Sequence, residues 1–123
     1  MKYLQLNGID CYKRSLLLSN YVWSCVIAWE WFAKKTVGVQ FVEAIDSISA
    51  NVAEGFGRYS KKDKVKFYRY SFGSLKESLD WNQKAKMRVL LTGEQYTHIL
   101  KELQVLPKEI NQLIQFTNQK LKQ

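Results

Sequence analysis

Apolar residues recur at alternating steps of three and four over most of this chain, and no stretch alternates apolar with polar residues long enough to read as a strand. Steps averaging 3.6 stack side chains on one helical face, so the pattern commits the chain to amphipathic helices that bury those faces on one another. A first segment, residues 10–36, carries Leu18, Val22, Cys25, Trp29 and Phe32 on such a stripe, and a second, 40–56, carries Phe41, Ile45, Ile48 and Val52. A third, 61–91, sets Val65, Tyr68, Phe72, Leu75 and Leu79 on one face. A fourth, 94–121, does the same with Ile99, Leu103, Leu106, Ile110 and Leu113. Joined by short connections, these predict an all-α fold, an antiparallel up-down-up-down four-helix bundle, as one domain over residues 1–123. The first, third and fourth helices, at about 27 to 31 residues and 1.5 Å per residue, would each run on the order of 40 Å.

The punctuation agrees with these bounds. Gly55 and Gly57 are expected to supply left-handed conformations that end the second helix. Ser60 is placed to cap the third through the amide near Asp63, and Thr92 with Gln95 forms a capping-box pattern ahead of the fourth. Gly73 and Ser74 offer a small spot for close helix approach, and Pro107 is expected to bend the fourth helix.

A chain of 123 residues with one proline and 46% apolar content can bury a core large enough to offset its ordering entropy. The first segment also holds Trp23, Ile27 and Trp31 outside its core stripe. A second large apolar face is either exposed at a cost or covered by another subunit, and we read it as an oligomer surface. Leu16 to Ala33 approaches membrane-spanning length. Its polar insertions and the basic pairs on both flanks favour a buried helix and no membrane span. The start lacks the apolar core of a secretory signal, and Cys11 and Cys25 suggest no disulfide framework, so a reducing cytoplasm is expected.

Little in the chain offers catalysis. His98 is the single histidine and has no second ligand at metal spacing, so no metal and no cofactor are expected. Cys25 lies in an apolar run without a cation to lower its pKa, and Gly55-Phe56-Gly57 is too short for a phosphate loop. No enzymatic activity is expected. A distant enzymatic alternative would use Glu54 and Glu77 as acid and base.

Two polar patterns stand out. Ser47, Asn51, Glu54 and Arg58 recur at steps of 4, 3 and 4, which reads either as a solvated face or as a polar network between helices or subunits. Next, Arg58, Lys61, Lys62, Lys64, Lys66 and Arg69 face only Asp63, with tyrosines and a phenylalanine interleaved, and Lys84, Lys86 and Arg88 extend the charge along the same helix. With a net charge of +8, this run can string phosphate contacts that give affinity without base discrimination, or it can serve as a solubilising face.

The stretch S-I-S-A-N-V-A-E-G-F-G-R, followed by K-F-Y-R-Y-S-F-G-S-L-K-E-S, resembles the small four-helix bundle proteins of the 23S rRNA intervening-sequence family. The related accessory variability determinant of diversity-generating retroelements is similar. The resemblance implies four antiparallel helices, a homopentameric ring, and a basic surface that binds nucleic acid. It carries family motif positions onto Ser47, Asn51, Glu54, Gly55 and Arg58 and onto Gly73, Ser74 and Glu77, none of them catalytic. Where the family often has a basic residue this chain has Glu43, which shifts expected phosphate contact beyond the motif, to Arg58 through Arg69. The leading expectation is a nucleic-acid-binding homo-oligomer. The alternative is a scaffold whose partner is a polypeptide such as a reverse transcriptase.

Overall fold

The computed structural model describes residues 5–121. A short 3-10 turn, Leu6–Gly8, leads into α1, Asp10–Val26. A helical turn, Trp31–Ala33, and a π-helical segment, Lys34–Gly38, then run without a break into α2, Val39–Phe56. α3 covers Lys61–Met87 and α4 covers Gly93–Lys120. Each helix packs on its neighbours in sequence, α1 closes the ring against α4, and the diagonal pairs hardly touch. The pairing is antiparallel: Arg14 meets Glu102 and Glu109, while Tyr21, two turns on, stacks against His98. This is the expected all-α four-helix bundle.

The stripes of α2 and α4 form the core as their spacing requires, and that of α3 only in part, since Val65, Phe72 and Leu79 are half-buried at its edge while Ser71, Ser74, Ser78 and Asn82 fill the buried face. Leu18 and Val22, then Phe41, Ile45, Ile48 and Val52, then Tyr68 and Leu75, then Ile99, Leu103, Leu106 and Ile110 are all nearly or fully buried. Burying each such side chain contributes about 1.5–3 kcal/mol relative to exposure, which is what orders the helices against each other. Buried hydroxyls find backbone partners. Ser15 and Ser78 donate to carbonyls one turn earlier, whereas Ser71 donates across the α2–α3 interface to the Ile48 carbonyl at 3.0 Å. Arg14 ties α1 to α4 through Glu102 at 2.8 Å and Glu109 at 3.0 Å.

Four details differ from the sequence expectation. The first helix stops at Val26, and the chain turns through residues 27–30, because the Glu30 carboxylate accepts the amides of Phe32 and Ala33 and starts a new helix there. Phe32, assigned by periodicity to the core stripe, is consequently 64% exposed. The third helix ends at Met87 rather than 91. Neither Gly55 nor Gly57 is left-handed; the one positive φ among the described residues is 58° at Val89, after α3. Gly73 has nothing within 4 Å of its Cβ direction, so the tight helix crossing is not there. It lies at Gly55, whose Cβ position falls 2.7 Å from the Tyr68 ring and 2.9 Å from the Lys64 carbonyl oxygen.

The caps on α3 and α4 form as the sequence indicated. Ser60 Oγ accepts the Asp63 amide at 3.1 Å, and Thr92 and Gln95 complete a reciprocal capping box. α4 continues through Pro107. Among the described residues, no helix is long and apolar enough to cross a membrane.

Candidate nucleic-acid interface

α3 carries the basic run, and its helical register sorts the cations. Tyr68, Ser71, Leu75 and Asn82 face the core, which turns Lys62, Lys66, Arg69 and Lys76 to the opposite, solvent side. Lys61, Lys62, Lys66 and Arg69 line a broad open depression of about 1020 Å³ at the start of α3, together with Ser60, Val65 and Asn118 of α4. Asp63 also lines it and draws Lys66 Nζ to 3.9 Å. None of Lys61, Lys62, Arg69 or Lys76 pairs with an acidic side chain among the described residues. Lys76 escaped the sequence reading. It stands seven residues, two turns, after Arg69, and that spacing is the signal that finds it.

Of the remaining cations of the run, all but Arg88 are engaged elsewhere. Lys64 Nζ donates to the Phe56 carbonyl at 2.7 Å, closing the end of α2, and burial pushes its pKa down. It is a backbone cap, not a free phosphate ligand. Arg58 pairs with Glu54 at 2.9 Å and lies 4.5 Å above the Phe67 ring. Lys84 pairs with Asp80 at 2.6 Å and covers Trp81. Arg88 caps the far end of α3, about 40 Å from Lys61 at 1.5 Å per residue. The expected single edge is therefore a group at the helix start, extended by Lys76, and a separate group of Lys84, Lys86 and Arg88 at the helix end.

The polar stripe on α2 bonds within its own helix. Ser47 Oγ donates to the Glu43 carbonyl at 2.7 Å, Asn51 Nδ2 to the Ser47 carbonyl at 2.8 Å, and Glu54 reaches Arg58. Among the described residues these polar bonds stay at α2, and only Arg58, over the Phe67 ring, reaches a second helix. Among the motif positions, Gly55 supplies the packing constraint, Ser74 is buried, and Glu77 is exposed.

Trp23 and Ile27, 55% and 51% exposed, line a small groove of about 230 Å³ with Val26, Val39 and Val42. Trp31 follows the chain reversal, 68% exposed, beneath Lys35.

The groups that could have supported chemistry are subdued. Both cysteines are free and buried, and burial pushes the Cys11 thiol up to about 12 and raises Cys25 as well. Among the described residues no three His, Cys, Asp or Glu side chains gather at metal-binding range.

No curated protein matches the chain significantly. A family model described as 23S rRNA-intervening sequence protein matches residues 7–112, which takes in α1, α2, α3, the first 20 residues of α4 and both motif segments. The chain belongs to the 23S rRNA-intervening sequence protein family.

Proposed function

We propose that the chain is a non-enzymatic, basic, homo-oligomeric bundle protein that binds nucleic acid, RNA or DNA, through the phosphate backbone. The observation that carries this reading is the solvent face of α3, where Lys62, Arg69 and Lys76 follow one another at two-turn spacing without an acidic partner among the described residues. Lysine and arginine in such a row collect phosphates and release counterions, which yields salt-dependent affinity with little preference for sequence.

The exposed Trp23, Ile27 and Trp31 support assembly, since rings of this size left in water are costly. Five copies in a ring, on the family resemblance, would multiply the +8 charge of each chain. The two reduced, buried cysteines suit the cytoplasm. A polypeptide partner seated on the Trp23 groove is the second reading, favoured by the apolar character of that groove.

Filter binding of a structured RNA and a DNA duplex at low salt tests the first reading. Micromolar or tighter binding that is lost in a Lys62→Glu, Lys66→Glu, Arg69→Glu variant is expected. Binding unaltered by the three reversals overturns it, and a cellular partner that survives nuclease treatment favours the second reading.

A further inference from the structure

At the end of the bundle away from the basic depression, the lead-in to α2 and the α3–α4 hairpin border an open cleft of about 670 Å³. Its walls include Phe32, Lys35, Thr36, Trp81, Arg88 and Leu90. That volume falls in the roughly 300–1,000 Å³ range of small-ligand sites. Phe32 presents an open ring at the wall, while a cation already covers one face of Trp81, with Lys84 Nζ 4.6 Å from its centroid.

The charged side chains that line the cleft, Lys35 and Arg88, are both cations. Arg88 is the last of three basic residues ending α3. Lys84 is engaged by Asp80 and Lys86 lies over Tyr96, but Arg88 has neither an acid nor a ring against it among the described residues. Its guanidinium fork is free for a bidentate oxyanion.

Both walls stand on uncommon backbone. Lys35 and Thr36 belong to the π-helical segment, and Val89, between Arg88 and Leu90, is held left-handed. Such features concentrate at binding sites.

We propose that this cleft takes one unpaired nucleotide of a single-stranded nucleic acid, its base against Phe32 and Trp81 and its phosphate against Lys35 and Arg88. Lys35 lies over Trp31, and neither it nor Arg88 has an acidic partner among the described residues. Aromatic rings beside such cations are the means by which single strands are held, since every base has a π-face and every linkage a charge. The proposal deepens the nucleic-acid reading and rests on it only for the class of partner. The α3 face contacts phosphates of any strand, whereas the cleft requires a base that is free to leave its stack.

The test titrates the full chain with an adenylate RNA hexamer, the same run inside a longer duplex clamped by G·C pairs, and adenosine monophosphate. Phe32 and Arg88 are exposed, so Phe32→Ala and Arg88→Glu leave the core intact. Each is expected to weaken the hexamer about tenfold, the loss of one stacking or charge contact, and to leave the duplex unchanged. Hexamer affinity indifferent to both variants overturns the cleft while the α3 face stands. Hexamer binding that depends on the cleft, with no duplex binding, upholds the cleft and removes the α3 face. Adenosine monophosphate binding as tightly as the hexamer overturns a strand in favour of a free nucleotide. No binding of any of the three overturns both.

Discussion

The Cβ position of Gly55 falls 2.7 Å from Cε1 of Tyr68, so α2 crosses α3 with its backbone against a buried ring. The Lys64 carbonyl closes the same corner at 2.9 Å and cannot swing away. A methyl group there forces the helices apart. Gly55→Ala is expected to lower stability by about 1–3 kcal/mol, the usual range for overpacking. Gly73→Ala, with open space around it, is expected to raise stability by about 0.5–1 kcal/mol through helix propensity. Urea midpoints of the two variants should move in opposite directions, and a shared sign contradicts the placement of the crossing.

Lys64 and Lys62 lie two positions apart and separate structure from binding. Lys64→Met keeps the packed stem and loses the bond to the Phe56 carbonyl. A stability loss of about 1 kcal/mol, with nucleic-acid affinity unchanged, is the expected result. Lys62→Met should leave stability within about 0.5 kcal/mol, as surface changes do, and weaken binding.

The hairpin after α3 has a Schellman closure, with the Leu90 amide donating to the Ala85 carbonyl and the Val89 amide to the Lys86 carbonyl. Val89 thus occupies the left-handed position that glycine favours, at a φ of 58° and 87% exposed. Val89→Gly relieves a cost on the order of 1 kcal/mol and should raise the melting temperature. A fall in melting temperature would show that the side chain is held by contacts the monomer lacks.

Cys11 and Tyr68 bear on alkaline stability. Burial pushes both groups up to about 12, from 9.0 for the thiol and 10.0 for the phenol. Both are neutral when protonated and hold their protons more tightly in the folded chain. Their contribution is therefore full below the unfolded values and lost as pH rises from about 9 towards 12. Urea midpoints should fall across that window, less steeply in Tyr68→Phe. A disulfide reagent at pH 8 should label Cys11 only as fast as the chain unfolds.

Most of the fold was legible because Ser60 and Thr92 announced α3 and α4 and the stripes of α2 and α4 kept one phase, although the buried face of α3 is filled largely by Ser71, Ser74, Ser78 and Asn82, which an apolar pattern does not register. The turn at residues 27–30 was not. Trp29 and Phe32 continue the phase of Val22 and Cys25, and periodicity registers spacing without registering a break. The deciding contact is the Glu30 carboxylate on two backbone amides, from a residue type outside the usual capping set. The candidate site was legible as a count of cations and not as a surface. Lys64 and Lys62 look alike in sequence, and only the proximity of the α2 end makes one a cap. The roles of Gly55 and Gly73 were exchanged for a similar reason, since what a missing side chain meets depends on the opposite helix.

The salt dependence of binding tests the central claim most directly, because it counts phosphates neutralised by named residues. Affinity for a DNA duplex, plotted logarithmically against salt, is expected to fall with a steep negative slope. Each lost phosphate contact removes about 0.9 from that slope, so Lys62→Gln with Arg69→Gln should flatten it by about 2 per chain in contact. An unchanged slope and affinity in the double variant would contradict the assignment of the α3 face as the phosphate-binding surface.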